Sequence, residues 1–397
     1  MTGELAPEEE SGITEAVRDA HRAAEPLLVL GNGSKASMLR PVQAARSLST
    51  RAHRGITLYS PKELVLSARA GTPLAEIEAA VAAEGQHVIA EPPDFSALLG
   101  SHAPQTLGGV VAANLSGPRR VTWGAMRDHV LGMRAVNGTG EVIRSGGRVL
   151  KNVTGLDLCK LLTGSHGTLA VIAEITLKVL PAPPAVGTLV LRGLDARAGV
   201  AALSAALGSP YGVSAAAWLP APAAALAGLP GGSAALIRVE EFAPSVAYRT
   251  GRLHGELAAF APGDVLDDAT SRAAWRAVRD ATVLSAEAED AVWRVSVRPS
   301  AGPDILAVAA GAGGRGFLDW GGGLVWIAAP AQAQQAIARA AIAAGGTWML
   351  LRAPEPMRAS SEVVPPEPPA LARLTRRVKA AFDPRGILNP GRIYAGV

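Results

Sequence analysis

Two stretches decide how this chain reads: "PQTLGGVVAANLSGPRRVTWGAM", Pro104 to Met126, and "GSHGTLAVIAEITLKVLP", Gly164 to Pro181. In the first, Gly108 and Gly109 lead into a run of small residues that ends in Ala112, Ala113 and Asn114. Without bulky side chains, backbone there can come close to a bound group. Gly164, Gly167 and Thr168 make a second such approach. The segment after them alternates, which predicts a strand with Ile175, Leu177 and Val179 inward and Thr176 and Lys178 outward. Gly117, Gly132 and Gly155 read better as plain turns of the chain.

Upstream, "LGNGSKASM" (Leu30 to Met38) follows the predicted strand "PLLVL". It lacks the spacing of a nucleotide-triphosphate loop. Gly31, Gly33 and Ala36 match a dinucleotide fingerprint, but Pro41 breaks the helix that should follow. No Asp or Glu lies between Lys35 and Lys62 to hold a ribose either. Two readings remain: an ordinary surface turn, or a loop whose successive amides curl around an anion, with Ser34 and Ser37 as hydroxyl donors.

Around these segments the pattern predicts a surface helix at 13–24 and two β segments about Pro61. A helix follows with Thr72 as N-cap, Pro73 in first position and Gly85 as its stop. Then come a strand at His129 to Asn137 and a short helix with Asp157 near its start. "PAPPA" (Pro181 to Ala185) is the linker candidate; beyond it, strands alternate with alanine-rich helices over roughly 170 residues, an α+β pattern. A proline cluster precedes the helix "LARLTRRVKAAF" and the tail "DPRGILNPGRIY". No sequence repeat of fixed period is visible.

The bulk properties exclude several classes. The 397 residues carry a net charge of +4 with only 18% charged residues and few aromatics, a poor match to nucleic-acid binding. A single cysteine, Cys159, cannot build a disulfide framework or a cysteine-based zinc or iron–sulfur site. The N-terminus reads as lacking a secretory signal, and no apolar window reaches the roughly 18 residues of a membrane span. A cytoplasmic protein is expected, with peripheral membrane association only through partners.

The glycine segments, together with Trp123-Gly124, Arg127-Asp128, Leu131-Gly132 and "KNVTGLDL" (Lys151 to Leu158), resemble the FAD-binding domain of the vanillyl-alcohol oxidase / p-cresol methylhydroxylase superfamily. Further motifs, "GNGSKASMLRPV", "EPPDF", "FLDWGGGLVWI" and "DPRGILNPGRIYA", resemble the FAD-binding subunits of bacterial glycolate oxidases. The resemblance implies an α+β chain. A two-subdomain FAD-binding domain is expected at 1–182 (about 1–88 and 89–182), an α+β cap at 186–354, and a C-terminal helical segment, 355–397, that returns to the FAD domain. It implies FAD as cofactor, a small 2-hydroxy acid oxidised by the complex, and two partners, a catalytic flavoprotein subunit and an iron–sulfur subunit.

By the same resemblance, Gly31, Asn32, Gly33, Ser34, Lys35 and Ala36, with Thr106, Gly108, Gly109, Ala113 and Asn114, clasp the pyrophosphate. Gly164, Ser165, His166, Gly167, Thr168 and Ile172 line the flavin and adenosine side, and Asn389 meets the isoalloxazine edge or caps a turn. Of the seven histidines only His254 lies beyond the linker, so the cap cannot assemble the family's histidine metal site and no catalytic residue is assigned. The first loop has no His or Cys, so the flavin is expected to be non-covalent. A relay or support subunit is the leading expectation. A self-sufficient FAD-dependent dehydrogenase and a scaffold without cofactor stand as alternatives. Arg119 and Arg120 read equally as steering charges or surface charges, and Trp320 with its three following glycines suggests a packed core or a subunit contact.

Overall fold

The computed structural model describes residues 3–147 and 156–396. Lys151 to Gly155 of the "KNVTGLDL" motif lie outside the described residues. A small parallel sheet places Arg46–Ser49 between Glu4–Leu5 and Leu27–Leu30. The helix Glu10–Ala23 covers it because Ile13, Val17 and Ala20 fall on one face and bury against Leu27, Leu48, Val136 and Val171.

A five-stranded antiparallel sheet follows, in the order Ile56–Ser60, Val65–Arg69, Ala170–Lys178, Val130–Asn137, Val142–Gly146. Its central strand, Ala170–Lys178, is covered on both faces. Thr176 is therefore buried, not outward as its alternation predicts, and its hydroxyl meets Ser67 Oγ at 2.8 Å. Thr72 is also not the N-cap of the next helix. Leu74–Ala83 is capped by Pro73, and the Thr72 hydroxyl bonds the Arg69 carbonyl at 2.7 Å and accepts from the Gly55 amide at 2.9 Å. The hydroxyl is spent on a loop closure, which local sequence cannot show.

The region after the proline run builds an eight-stranded antiparallel sheet. Two units on a β-α-β-β-α-β plan make it, Ala185–Leu266 and Ala291–Arg352, the first with an added short helix, Ala221–Leu226, between its second and third strands. Each has its first strand between its third and fourth, and the units meet edge to edge at Trp218 and Leu318. The duplication is structural and left no period in the sequence. Sequence patterning also missed the strands Val213–Leu219, Gly263–Leu266 and Arg315–Asp319. Val213–Leu219, "VSAAAWL", is alanine-rich and buried on both faces, so it shows no alternation.

A buried ionic network ties this sheet to the earlier residues. Arg238 donates to both Glu91 oxygens at 2.9 Å, and Arg119 holds Glu240 at 2.7 and 3.0 Å. Arg119 is thus an internal fastening and not a steering charge. The chain end runs back beside Leu27–Leu30: the Leu27 amide donates to Ile387 O at 2.7 Å and the Asn389 amide to Leu27 O at 3.1 Å.

Candidate functional site

The returning tail, the small parallel sheet and the two glycine stretches enclose a cleft of about 790 Å³, its mouth included. Of the residues picked from sequence, Gly31 to Ala36, Thr106, Gly108, Gly109, Ala113, His166, Gly167, Ile172 and Asn389 line it. Asn114, Gly164, Ser165 and Thr168 stand behind the wall. The Asn114 Oδ1 accepts from the Arg127 amide at 3.1 Å, the Gly164 amide donates to Val111 O at 3.1 Å, and the Thr168 hydroxyl donates to Ser165 O at 2.7 Å. Among the described residues, the Ser165 Oγ is buried without a partner.

The first loop turns twice in succession, Ala36 N to Gly33 O at 3.0 Å and Met38 N to Lys35 O at 3.1 Å, and forms no helix. Pro41 and the left-handed Gly33 (φ 76°) explain why. Among the described residues, the amides of Asn32, Gly33, Ser34 and Lys35 donate to no protein acceptor. Their carbonyl side is braced: Arg392 donates to Lys35 O at 2.9 Å, Ala36 O at 3.2 Å and Arg40 O at 2.9 Å. The Ser37 hydroxyl faces away, donating to Leu99 O at 3.4 Å.

Small residues here are a steric requirement. A Cβ on Gly31 would sit 2.3 Å from Thr106 Oγ1, and one on Gly108 would sit 2.7 Å from the Ala70 methyl. Thr106 caps the helix Leu107–Ala112, its Oγ1 accepting from the Gly109 amide at 3.2 Å. A Cβ on Gly109 would lie 3.9 Å from Lys35 Nζ. The Lys35 ammonium is buried against two neutral oxygens, Ser34 Oγ at 3.3 Å and Gln105 Oε1 at 3.2 Å, and burial pushes its pKa down to about 8.

The ionisable side chains on the lining are Lys35, His166 and Arg392, and no carboxylate is among them. Burial, with Arg392 and Lys35 nearby, lowers the His166 imidazole to about 3, so it is neutral at pH 7. Burial and Arg358 lower Arg392 to about 10. A cleft with free amides, two cations and no acid suits an anion. Sequence reasoning missed Arg392, Thr50, Ala170, Val171 and Leu28 to Leu30. Arg392 sits inside the quoted "NPGRIY" tail, but only the folded return shows that it reaches the loop. Asn389 lines the cleft with its carboxamide spent on backbone, at Val29 N, Val29 O and His166 O.

Comparison with known proteins agrees with this geometry. A family described as "FAD binding domain" matches residues 2–146, and one described as "FAD linked oxidases, C-terminal domain" matches 366–393. Glycolate oxidase subunit GlcE of Escherichia coli is 36% identical over 383 residues, 96% of this chain and 97% of that protein. Glycolate oxidase subunit GlcD of Bacillus subtilis is 40% identical over 98 residues, 25% of this chain and 20% of that protein. In fold, 4-ethylphenol oxidase from Gulosibacter chungangensis matches with a TM-score of 0.73 at 14% identity, covering 99% of this chain and 90% of that one. Among the described residues no helix is long and apolar enough to cross a membrane. The chain belongs to the family of FAD-linked oxidases that includes the glycolate oxidase subunit GlcE.

Proposed function

We propose that this chain is the FAD-binding subunit of a glycolate oxidase complex, holding its flavin as a relay or support to the subunit that oxidises the 2-hydroxy acid. The observation that carries the reading is the loop Asn32–Lys35, whose amides donate to no described protein acceptor and which lines a cleft with a half-buried lysine and no carboxylate. A diphosphate fits that donor set: four N–H groups, the Lys35 ammonium at one end and glycine walls that exclude a Cβ. Bound there, FAD supplies acceptance and onward transfer of electrons taken from a CH–OH carbon.

The protein's own part is binding and orientation. Arg392 fixes the loop from its carbonyl side, Asn389 locks the tail to the strand, and Thr106 holds the Gly109 amide. The relay role is supported by the lining chemistry: His166, with a pKa of about 3, is too weak a base to take a hydroxyl proton at pH 7. The first loop carries neither His nor Cys, and Cys159 is buried with its Sγ 3.4 Å from Ser145 O, which fits non-covalent flavin. The electron-receiving and substrate-oxidising partners, an iron–sulfur subunit and a second flavoprotein subunit, belong to the same proposal, as does a cytoplasmic location with membrane contact only through them. Titrating purified chain with FAD should give one equivalent bound and a flavin spectrum. Adding the loaded chain to its partner subunits should restore glycolate-driven dye reduction. A colourless chain that binds no FAD refutes the reading.

A further inference from the structure

The segment Pro104 to Thr106 touches the amide loop of the cleft at two points. Pro104 O accepts from Asn32 Nδ2 at 3.2 Å, and Gln105 Oε1 accepts from Lys35 Nζ at 3.2 Å. The backbone that carries these contacts is itself tied down. The Leu74 amide donates to Gln105 O at 2.9 Å, the Leu107 amide donates to Thr72 O at 2.9 Å, and Thr106 bridges to Pro73. Gln105 therefore reaches Lys35 from a fixed base, and it stands behind the lysine and not on the cleft lining.

An ammonium has donors only, so the carboxamide turns its oxygen to Lys35. The other oxygen within reach, Ser34 Oγ at 3.3 Å, is neutral too. The carboxylate whose charge acts on the lysine, Asp94, forms no ion pair with it among the described residues; its Oδ1 accepts from the Ser96 amide at 2.9 Å. From the other elements around the cleft, His166 is neutral at pH 7, and the Arg392 cation is engaged with the carbonyls of Lys35, Ala36 and Arg40. Two neutral acceptors thus place the ammonium and leave its charge for whatever enters the cleft. A carboxylate at position 105 would place it equally well and cancel that charge.

With FAD as the ligand, as proposed above, we infer that Gln105 is a positioning residue of the diphosphate site: its neutral carboxamide holds the Lys35 ammonium at the cleft wall without spending the charge, which the bound diphosphate then cancels. Gln105 thereby sets both the strength of anion binding and the pH above which it fades. Two substitutions push the lysine in opposite directions. In Gln105→Glu a carboxylate pairs with the ammonium, so Lys35 stays charged to higher pH, but the diphosphate meets a neutral pair. In Gln105→Met the ammonium loses an acceptor, so it gives up its proton sooner, below the value of about 8 that burial already imposes.

Titration of the empty full-length chain with FAD at a series of pH values from 6 to 9.5, read by the change in flavin fluorescence, tests this, with circular dichroism to confirm folding. In the parent, affinity should fall as pH rises through about 8. Gln105→Glu should bind FAD about tenfold or more weakly at pH 7, with the fall-off displaced to higher pH. Gln105→Met should lose only severalfold at pH 6, with the fall-off displaced to lower pH. A side chain that merely filled space would weaken binding in both variants at every pH and leave the fall-off in place. Should Gln105→Glu fail to fold, the direction of the shift in Gln105→Met decides alone. A fall-off that stays at the parent's pH in the folded variants, or moves the same way in both, overturns the role of Gln105 and leaves the flavin reading standing. A parent chain that binds no FAD refutes that reading and this role with it.

Discussion

The carboxamide of Asn389 meets both backbone groups of Val29: its Oδ1 accepts from the Val29 amide at 2.7 Å and its Nδ2 donates to the Val29 carbonyl at 3.0 Å. The same Nδ2 donates to His166 O at 2.8 Å, so one buried side chain joins the strand, the second glycine turn and the tail. Asn389→Ala removes three hydrogen bonds and leaves two carbonyls and an amide unsatisfied. The expected cost is about 2–4 kcal/mol of unfolding free energy. Asn389→Asp keeps the bond from Val29 N but sets a carboxylate against two carbonyls, and should be no better. A denaturant midpoint unchanged in both variants would remove Asn389 from this role.

Lys35 links cofactor affinity to pH. Its pKa in the empty cleft is about 8, below the ordinary 10.5, because burial disfavours the ammonium. The folded chain therefore binds fewer protons than the unfolded chain between about 8 and 10.5. Stability of the empty protein should rise with pH across that window. FAD affinity should move the other way, weakening above pH 8 as the empty site loses its charge. Lys35→Met should leave the empty chain as stable or more so, flatten the pH dependence and weaken FAD about tenfold or more, the worth of a charge-assisted bond. Isothermal titration at pH 7 and pH 9 reads both effects; equal affinities at the two values in the parent chain would contradict it.

Gly31 and Thr106 form a steric pair. Gly31→Ala puts a methyl 2.3 Å from Thr106 Oγ1 and should lower stability by about 1–3 kcal/mol and FAD affinity with it. Thr106→Ala alone loses the cap on Gly109 N, about 1 kcal/mol. The double variant should cost less than the sum, since removing Oγ1 leaves the new methyl no atom of residue 106 nearer than 3.4 Å. Strict additivity in thermal melts would show that the two side chains do not meet.

What the sequence revealed and what it hid follow a physical division. Gly31, Gly33, Gly108 and Gly109 were legible because each fills a position where backbone itself forms the wall, so their smallness is written in the chain. Asn114 and Thr168 looked like members of the same wall because they adjoin it. Their side chains serve Arg127 and Ser165 instead, a distinction of a single rotation that no local pattern encodes. Arg392 was hidden for a different reason: its partners are carbonyls 352 to 357 residues earlier, reached only after the tail folds back. The paired β-α-β-β-α-β units left no repeat because alanine and valine satisfy both copies interchangeably. Arg119 read equally as a steering or a surface charge because its partner, Glu240, lies 121 residues further along the chain.

That last pair governs how the molecule is held together under acid. Glu240 is buried, and although burial alone would raise its pKa, Arg238 and Arg119 hold it well below the ordinary carboxylate range; Glu91 is lowered likewise. Their folded values lie below the unfolded 4.5, so their stabilisation is complete above about pH 4.5 and is lost as pH falls toward the folded values. Glu240→Gln leaves Arg119 without a carboxylate, its remaining side-chain contact being His87 Nδ1 at 3.0 Å, and leaves Arg238 with Glu91 as its ion-pair partner. The expected loss is about 3–5 kcal/mol at pH 7. Arg119→Met is milder, because Glu240 keeps Arg238 at 3.6 Å. The network also spans the seam between the eight-stranded sheet and the glycine-rich residues, so Glu240→Gln should split a single calorimetric transition into two, while the parent splits only as pH falls well below the ordinary carboxylate range. A variant that melts as one transition at the parent temperature would mean that the seam is held by its apolar contacts and that the ions add nothing.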